Sequence, residues 1–193
     1  MACSRLLLSV MILASGVAAF SQAPTYHLGR TPSEEEIRAW DIVIGPEGKE
    51  LPAGSGTAKE GAKVYAQRCA RCHGPTAAEG GSTIGIRPAP PLVGGQGTLK
   101  TLHPVRTVGS WWPFATTVWD YINRAMPLFE EGSLSPNEVY SLTAFLLYRN
   151  GIVQENDVVD AKGLPQIQMP NRNGFVPPRP MWTHSPSNRG RTP

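Results

Sequence analysis

Cysteine is scarce in this chain: three among 193 residues, at positions 3, 69 and 72. That is too few for a disulfide-stapled framework, and a four-thiolate zinc site would need a second pair that is not there. Charge of one sign is also lacking. The formal net charge is +3, with no run of five like charges, so nothing marks a nucleic-acid-binding surface. Beyond residue 23 no apolar run approaches the roughly 20 residues that a bilayer crossing requires. Strand-like alternation is missing apart from the short stretch Asp41–Ile44, which argues against a sheet-based core. No paired carboxylates, nucleophile beside a base, or phosphate-binding loop stands out, so no substrate chemistry is expected from this chain alone. What the chain does have in quantity is glycine and proline, 20 and 19 residues, which points to long loops around a modest core.

The N-terminus reads as an address. Arg5 precedes a nearly continuous apolar run, Leu6–Phe20, and small residues follow at Ala19, Ser21 and Ala23. The run is short for a membrane anchor, so residues 1–23 are read as a signal peptide. No cysteine lies near the cleavage region, which argues against a lipoprotein. The expected product is exported, periplasmic and soluble, with no membrane span after cleavage. Cys3 leaves with the leader.

The two remaining cysteines stand in Cys69-Ala70-Arg71-Cys72-His73, the C-x-x-C-H pattern of covalent haem attachment. Two thiols separated by two residues suit the vinyl groups of one macrocycle. The adjacent histidine is then held under the iron as a nitrogen ligand. A thioredoxin-like dithiol would want a strand and a βαβ context, and a plain disulfide would leave His73 without a reason. One covalent haem c through Cys69 and Cys72 is the reading that uses every residue of the motif.

Helix signals surround it. Thr57 and Glu60 form a capping box opening a helix through Gly61, Val64 and Tyr65, one face leading to the motif. Glycine within a helix costs about 1 kcal/mol against alanine, a cost that close approach of another helix at Gly61 would offset. That second helix opens at Ser135-Pro136-Asn137-Glu138, another capping box with Pro136 in the first turn and Leu134 and Val139 as a hydrophobic staple. Its apolar face carries Val139, Leu142, Leu146 and Leu147, and Asn150-Gly151 closes it. A third helix covers about 115–124, with Val118, Trp119, Tyr121 and Ile122. Glu34-Glu35-Glu36 reads as the first turn of a short helix capped by Thr31 with Pro32 at its first position. The fold expected is all-α: an N-terminal extension over 24–56, a haem domain over 57–150, and a proline-rich tail over 151–193. The tail should wrap the core near its start and fray near Ser185–Pro193. A domain of this size is marginal on protein atoms alone, and a buried haem would fill its core.

A sixth iron ligand has several candidates: Met126, Met169 and Met181, and His27, His103 and His184. Met126 is preferred because it ends the third helix on a loop able to fold over the open haem face. The competing reading is a core methionine that happens to precede proline. Met169 ranks second and His103 third. A His/Met pair raises the reduction potential, as suits an electron acceptor. Trp111, Trp112, Phe114, Trp119 and Tyr121 form an aromatic cluster that fits a haem pocket or docking patch, or equally ordinary core packing.

The order of capping helix, C-x-x-C-H, proline loop, methionine and final helix resembles class I cytochrome c. In that family a loop proline gives its carbonyl to the proximal histidine, and Pro90 or Pro91 is similarly placed. The stretches Arg38-Ala39-Trp40-Asp41-Ile42, Thr107-Val108-Gly109-Ser110-Trp111-Trp112-Pro113, Arg124-Ala125-Met126-Pro127 and Met169-Pro170-Asn171-Arg172-Asn173-Gly174-Phe175 resemble the haem domains of SoxD and SorB-like subunits. That resemblance implies Met126 as distal ligand. It implies as electron donor a molybdenum-containing sulfite or sulfane dehydrogenase, with a downstream cytochrome or terminal oxidase as acceptor. Two-haem members carry a second C-x-x-C-H that this sequence lacks, so a one-haem relative is expected. The alternatives are a free shuttle for another periplasmic dehydrogenase, or a haem protein with an open iron site.

Overall fold

A computed structural model of the chain describes residues 28–81, 83–84 and 87–176. The expected leader 1–23, with His27, Met181, His184 and the stretch expected to fray, lies outside the described residues. The chain divides after Asp41 into two units. The first contains helix α1 (Glu34–Trp40), and its cap differs from the sequence expectation. Ser33, not Thr31, is the N-cap, and Pro32 precedes the helix instead of opening it. Ser33 wins because its hydroxyl accepts from the Glu36 amide at 3.2 Å, while the Glu36 carboxylate accepts from the Ser33 amide at 2.8 Å. Two otherwise orphaned N–H groups are satisfied together. The Arg30 guanidinium also pairs with Glu36. Its hydrogen bonds, followed by the Ser33 amide, hold that carboxyl down at about 2.

The second unit is helical. It contains α2 (Ala58–Arg68), α3 (Ala70–His73), α4 (Ala115–Ala125) and α5 (Pro136–Arg149), with 3-10 turns at Thr98–Lys100 and Leu164–Gln166. Strands are vestigial. The pair β1 (Ser55–Gly56) and β4 (Val159–Asp160) is antiparallel, as is the pair β2 (Thr83–Ile84) and β3 (Arg87–Pro88). Asp41–Ile44 is not a strand but irregular chain. Its Ile44 is buried and donates its amide to the Asp120 carboxylate at 2.9 Å. No described helix is long and apolar enough to cross a membrane.

The core is built where α2 crosses α5. Thr57 and Ser135 each close the capping box read from the sequence, and Leu134 and Val139 are both buried at the staple. A Cβ placed on Gly61 would land inside the Ser141 carbonyl, far closer than any real contact. The glycine therefore allows the two backbones to touch. Tyr65 then stacks on Phe145 with ring centroids 4.9 Å apart. Helix α5 is buried along Val139–Leu147, because α2, α4 and β1 surround it. The segment after α5 returns across the core. Val159, Leu164 and Met169 are buried, and Asn171 Nδ2 donates to the Trp111 carbonyl at 2.8 Å.

Candidate haem site

The C-x-x-C-H segment sits at a joint between two helices. Cys69 ends α2 and opens α3, and its carbonyl accepts from the amides of Cys72 at 3.1 Å and His73 at 3.0 Å. This single turn presents Cys69, Cys72 and His73 from one compact piece of backbone. The joint is braced by the buried Tyr65, whose hydroxyl donates to the Gly74 carbonyl at 2.7 Å. Burial pushes the Tyr65 hydroxyl well above its ordinary value. Cys69 and Cys72 are free, half-buried thiols. Burial raises the Cys69 thiol to about 11, with Arg68 opposing and Cys72 adding a little. A redox-active or nucleophilic cysteine has its thiol shifted the other way, so burial of Cys69 gives the dithiol alternative no support.

His73 is oriented by the proline loop. Its Nδ1 lies 2.9 Å from the Pro90 carbonyl. A carbonyl can only accept, so Nδ1 carries the proton and Nε2 keeps its lone pair for a metal. The choice between the two prolines thus falls on Pro90 as acceptor. Pro91 has a different part: a residue preceding proline is confined to extended backbone, which restricts how Pro90 can turn its carbonyl. The loop hangs on Ala77, a fully buried residue at φ +65°, whose carbonyl accepts from Leu92 at 2.7 Å and Val93 at 3.0 Å. At the loop's far end, Asn150 Oδ1 accepts from the Gly94 amide at 3.0 Å and Nδ2 donates to the Leu92 carbonyl at 3.2 Å.

Met126 is the C-cap of α4, half-buried, its amide bonded to the Ile122 carbonyl at 3.1 Å. The loop that follows it is tied to the residue before the cysteine motif. Arg68 donates to the Glu130 carboxylate at 2.9 Å and to the Ser133 hydroxyl at 2.6 Å. The other ligand candidates sit differently. Met169 is buried among core residues beyond the last helix, and His103 is exposed in the loop after the first 3-10 turn.

The aromatic cluster divides. Trp119 is 1% exposed and tilts against Tyr140 at 5.4 Å. Tyr121 is exposed, meeting Trp112 edge-on at 5.5 Å. Trp111 packs edge-on against Phe175 at 4.9 Å beneath Arg106. Trp119 Nε1 is a buried donor with no protein acceptor. The residues present fit a haem through the cysteine motif itself: two free thiols two residues apart and the poised Nε2 of His73 stand on one turn of backbone.

Known proteins agree with the geometry. The family model described as cytochrome c oxidase, cbb3-type, subunit III matches residues 56–146, a span that includes both the cysteine motif and Met126. Among solved structures, a chain of the sulfane dehydrogenase SoxCD from Paracoccus pantotrophus is 39% identical. It superposes with a TM-score of 0.69 over 87% of this chain and 80% of that chain. This chain is a class I c-type cytochrome. It belongs with the SoxD- and SorB-like cytochromes, and no curated protein sequence matches it. The cytochrome has the all-α fold read from its sequence, its cofactor is haem c, and its work is electron transfer.

Sequence reasoning about the cytochrome missed Ala77, the side chain of Asn150 and the reach of Arg68. Ala77 gave no signal, since alanine rarely takes positive φ. Asn150 was read only as a helix end. Arg68 adjoins the motif, but nothing in the sequence names its partners 62 and 65 positions away.

Proposed function

We propose that this cytochrome is exported to the periplasm and binds one haem c through thioethers at Cys69 and Cys72. His73 and Met126 are the two side chains that would hold its iron. It accepts single electrons from a molybdenum-dependent sulfite or sulfane dehydrogenase and passes them to a downstream cytochrome or terminal oxidase. The observation that carries this reading is the His73 Nδ1–H bond to the Pro90 carbonyl, which fixes the tautomer and the ring plane. Bound haem c supplies a one-electron iron couple. The protein's share is to hold and insulate it. Cys69 and Cys72 anchor it on one helical joint, and the Pro90 carbonyl makes His73 a better donor. The Met126 thioether would be the second ligand, a donor that favours the reduced state. With His73 and Met126 both holding the iron, no place would be left for a substrate, which is why a carrier is preferred to a catalyst. Trp119 and Tyr121 complete the proposed surround, one inside and one at the surface.

The donor's identity rests on likeness to a chain of a sulfane dehydrogenase at 39% identity. Affinity purification of the tagged protein from its native periplasm, with mass spectrometry of co-purifying proteins, tests it. A molybdenum enzyme is the expected partner. A quinoprotein dehydrogenase, or no stable partner, would remove the sulfur assignment and leave a general shuttle. Met126→Ala tests the ligand set: its oxidised and reduced spectra should differ from wild type, and identical spectra would reopen the sixth position.

A further inference from the structure

Among the described residues, the loop after Met126 has a single polar tether, and it comes from the residue that precedes Cys69. Residues 127–133 fold as two tight turns, with the Glu130 amide on the Pro127 carbonyl at 2.9 Å and the Ser133 amide on the Glu130 carbonyl at 3.2 Å. The Phe129 amide is satisfied within the loop by the Glu131 carboxylate at 3.0 Å. Helix α4 holds the upstream end, and burial of Leu134 holds the downstream end. Between them Leu128–Ser133 is exposed. Phe129, 75% exposed, is held at φ +70°, a conformation disfavoured for a bulky residue. Among the described residues, every hydrogen bond from 127–133 to a distant segment goes to the Arg68 guanidinium. Arg68 adjoins Cys69, so one side chain joins the covalent anchor to the methionine loop.

We infer that Arg68 is a positioning residue, a latch that keeps the Met126 loop closed and so sets how readily the methionine ligand is released. The inference rests on the reading of Met126 as axial ligand. The pair is partly exposed, with 34% of the Arg68 side chain and 63% of Glu130 accessible. Such a contact adds little to overall stability. It can still govern a loop that has no other polar hold among the described residues. It should also weaken with ionic strength, because exposed charges are screened.

The experiment compares haem-loaded full-length wild type, Arg68→Met, Arg68→Lys, Glu130→Gln and Met126→Ala. It follows the ferric methionine–iron charge-transfer band, the midpoint potential and the rate at which added imidazole displaces the methionine. Met126→Ala comes first. Loss of the band in that variant secures the ligand. A band that survives removes the ligand reading, and the latch with it. With the ligand secured, Arg68→Met should bind imidazole about fivefold faster, the weight of an exposed charge pair. Its potential should fall while its unfolding midpoint stays near wild type. Glu130→Gln should move the same way, and Arg68→Lys should recover part of the effect, since lysine restores the charge but not the placement of the Nη2 that serves both Glu130 and Ser133. High salt should carry the wild type towards Arg68→Met. Wild-type imidazole kinetics in both Arg68→Met and Glu130→Gln at low salt would overturn the latch while leaving Met126 as the ligand.

Discussion

Asn150 does more than end a helix. Its Nδ2 donates to the carbonyls of Leu146 at 2.8 Å and Leu92 at 3.2 Å, while Oδ1 accepts from the Gly94 amide at 3.0 Å and Gln96 Nε2 at 3.3 Å. Gly109 makes room for it, since a Cβ there would collide with the same amide group. Asn150→Leu keeps the branched shape and the number of side-chain heavy atoms and removes every one of these bonds. The Gly94 amide loses a partner that leucine cannot replace, while the Leu92 carbonyl keeps the Val108 amide at 3.2 Å, so a loss of about 1–3 kcal/mol is expected. Urea denaturation measures it, and a loss under about 0.5 kcal/mol, the range of an ordinary surface change, would show that water takes over these bonds. At this scale the sequence was legible where chemistry demands a residue type. Cysteine, cysteine and histidine at fixed spacing have few other uses. It was not legible where a backbone group does the work: Ala77 serves through a turn at positive φ, and the acceptor for His73, narrowed to Pro90 or Pro91 by resemblance alone, falls on the Pro90 carbonyl.

The elements were easier to read, because capping boxes act through side chains. Thr57 with Glu60 and Ser135 with Glu138 are reciprocal pairs in sequence and in structure alike. Thr31 failed as a cap because Ser33 offers the same chemistry two residues later and Glu36, paired with Arg30, completes it. Gly61 is the sharpest case. On propensity alone, Gly61→Ala should stabilise α2 by about 1 kcal/mol. The new methyl group would meet the Ser141 backbone and the Phe145 side chain, and backbone cannot move aside as a flexible side chain can. Helices α2 and α5 would have to part, at a cost of about 1–3 kcal/mol or more for overpacking. We expect net destabilisation, read as a lower denaturation midpoint. A stabilised Gly61→Ala would mean that the crossing is looser than the backbone contact implies.

At the scale of the whole molecule, the proline-rich sequence beyond residue 150 reads as chain that wraps the core near its start, but it does not tell which of its residues enter the core. Val159, Leu164 and Met169 are buried without any helical period to announce them, since irregular chain can fill a core while leaving no repeat. The segment before the first core helix is held differently, by a charge. Asp120, buried on α4, grips Arg124 through two bonds of 2.8 and 2.5 Å and accepts the Ile44 amide at 2.9 Å. Burial pushes its carboxyl up, but the Arg124 hydrogen bonds, the Ile44 amide and the Arg124 charge outweigh it, leaving the carboxyl below its ordinary value of 3.8. The sign follows. In the acid range the unfolded chain binds a proton more readily than the folded one, so folding stability rises with pH there. The contribution of Asp120 is fully present above that ordinary value and drains away as pH falls through the depressed folded value. Asp120→Asn keeps an acceptor for Ile44 but loses the charge, and should cost about 1–3 kcal/mol at pH 7. Its gap from wild type should narrow in acid and close once Asp120 is protonated in both states. Urea unfolding of the two proteins at pH 7, 5 and 3 gives the comparison. A gap that stays constant across that range would mean the aspartate holds the segment by shape alone, with its charge contributing nothing.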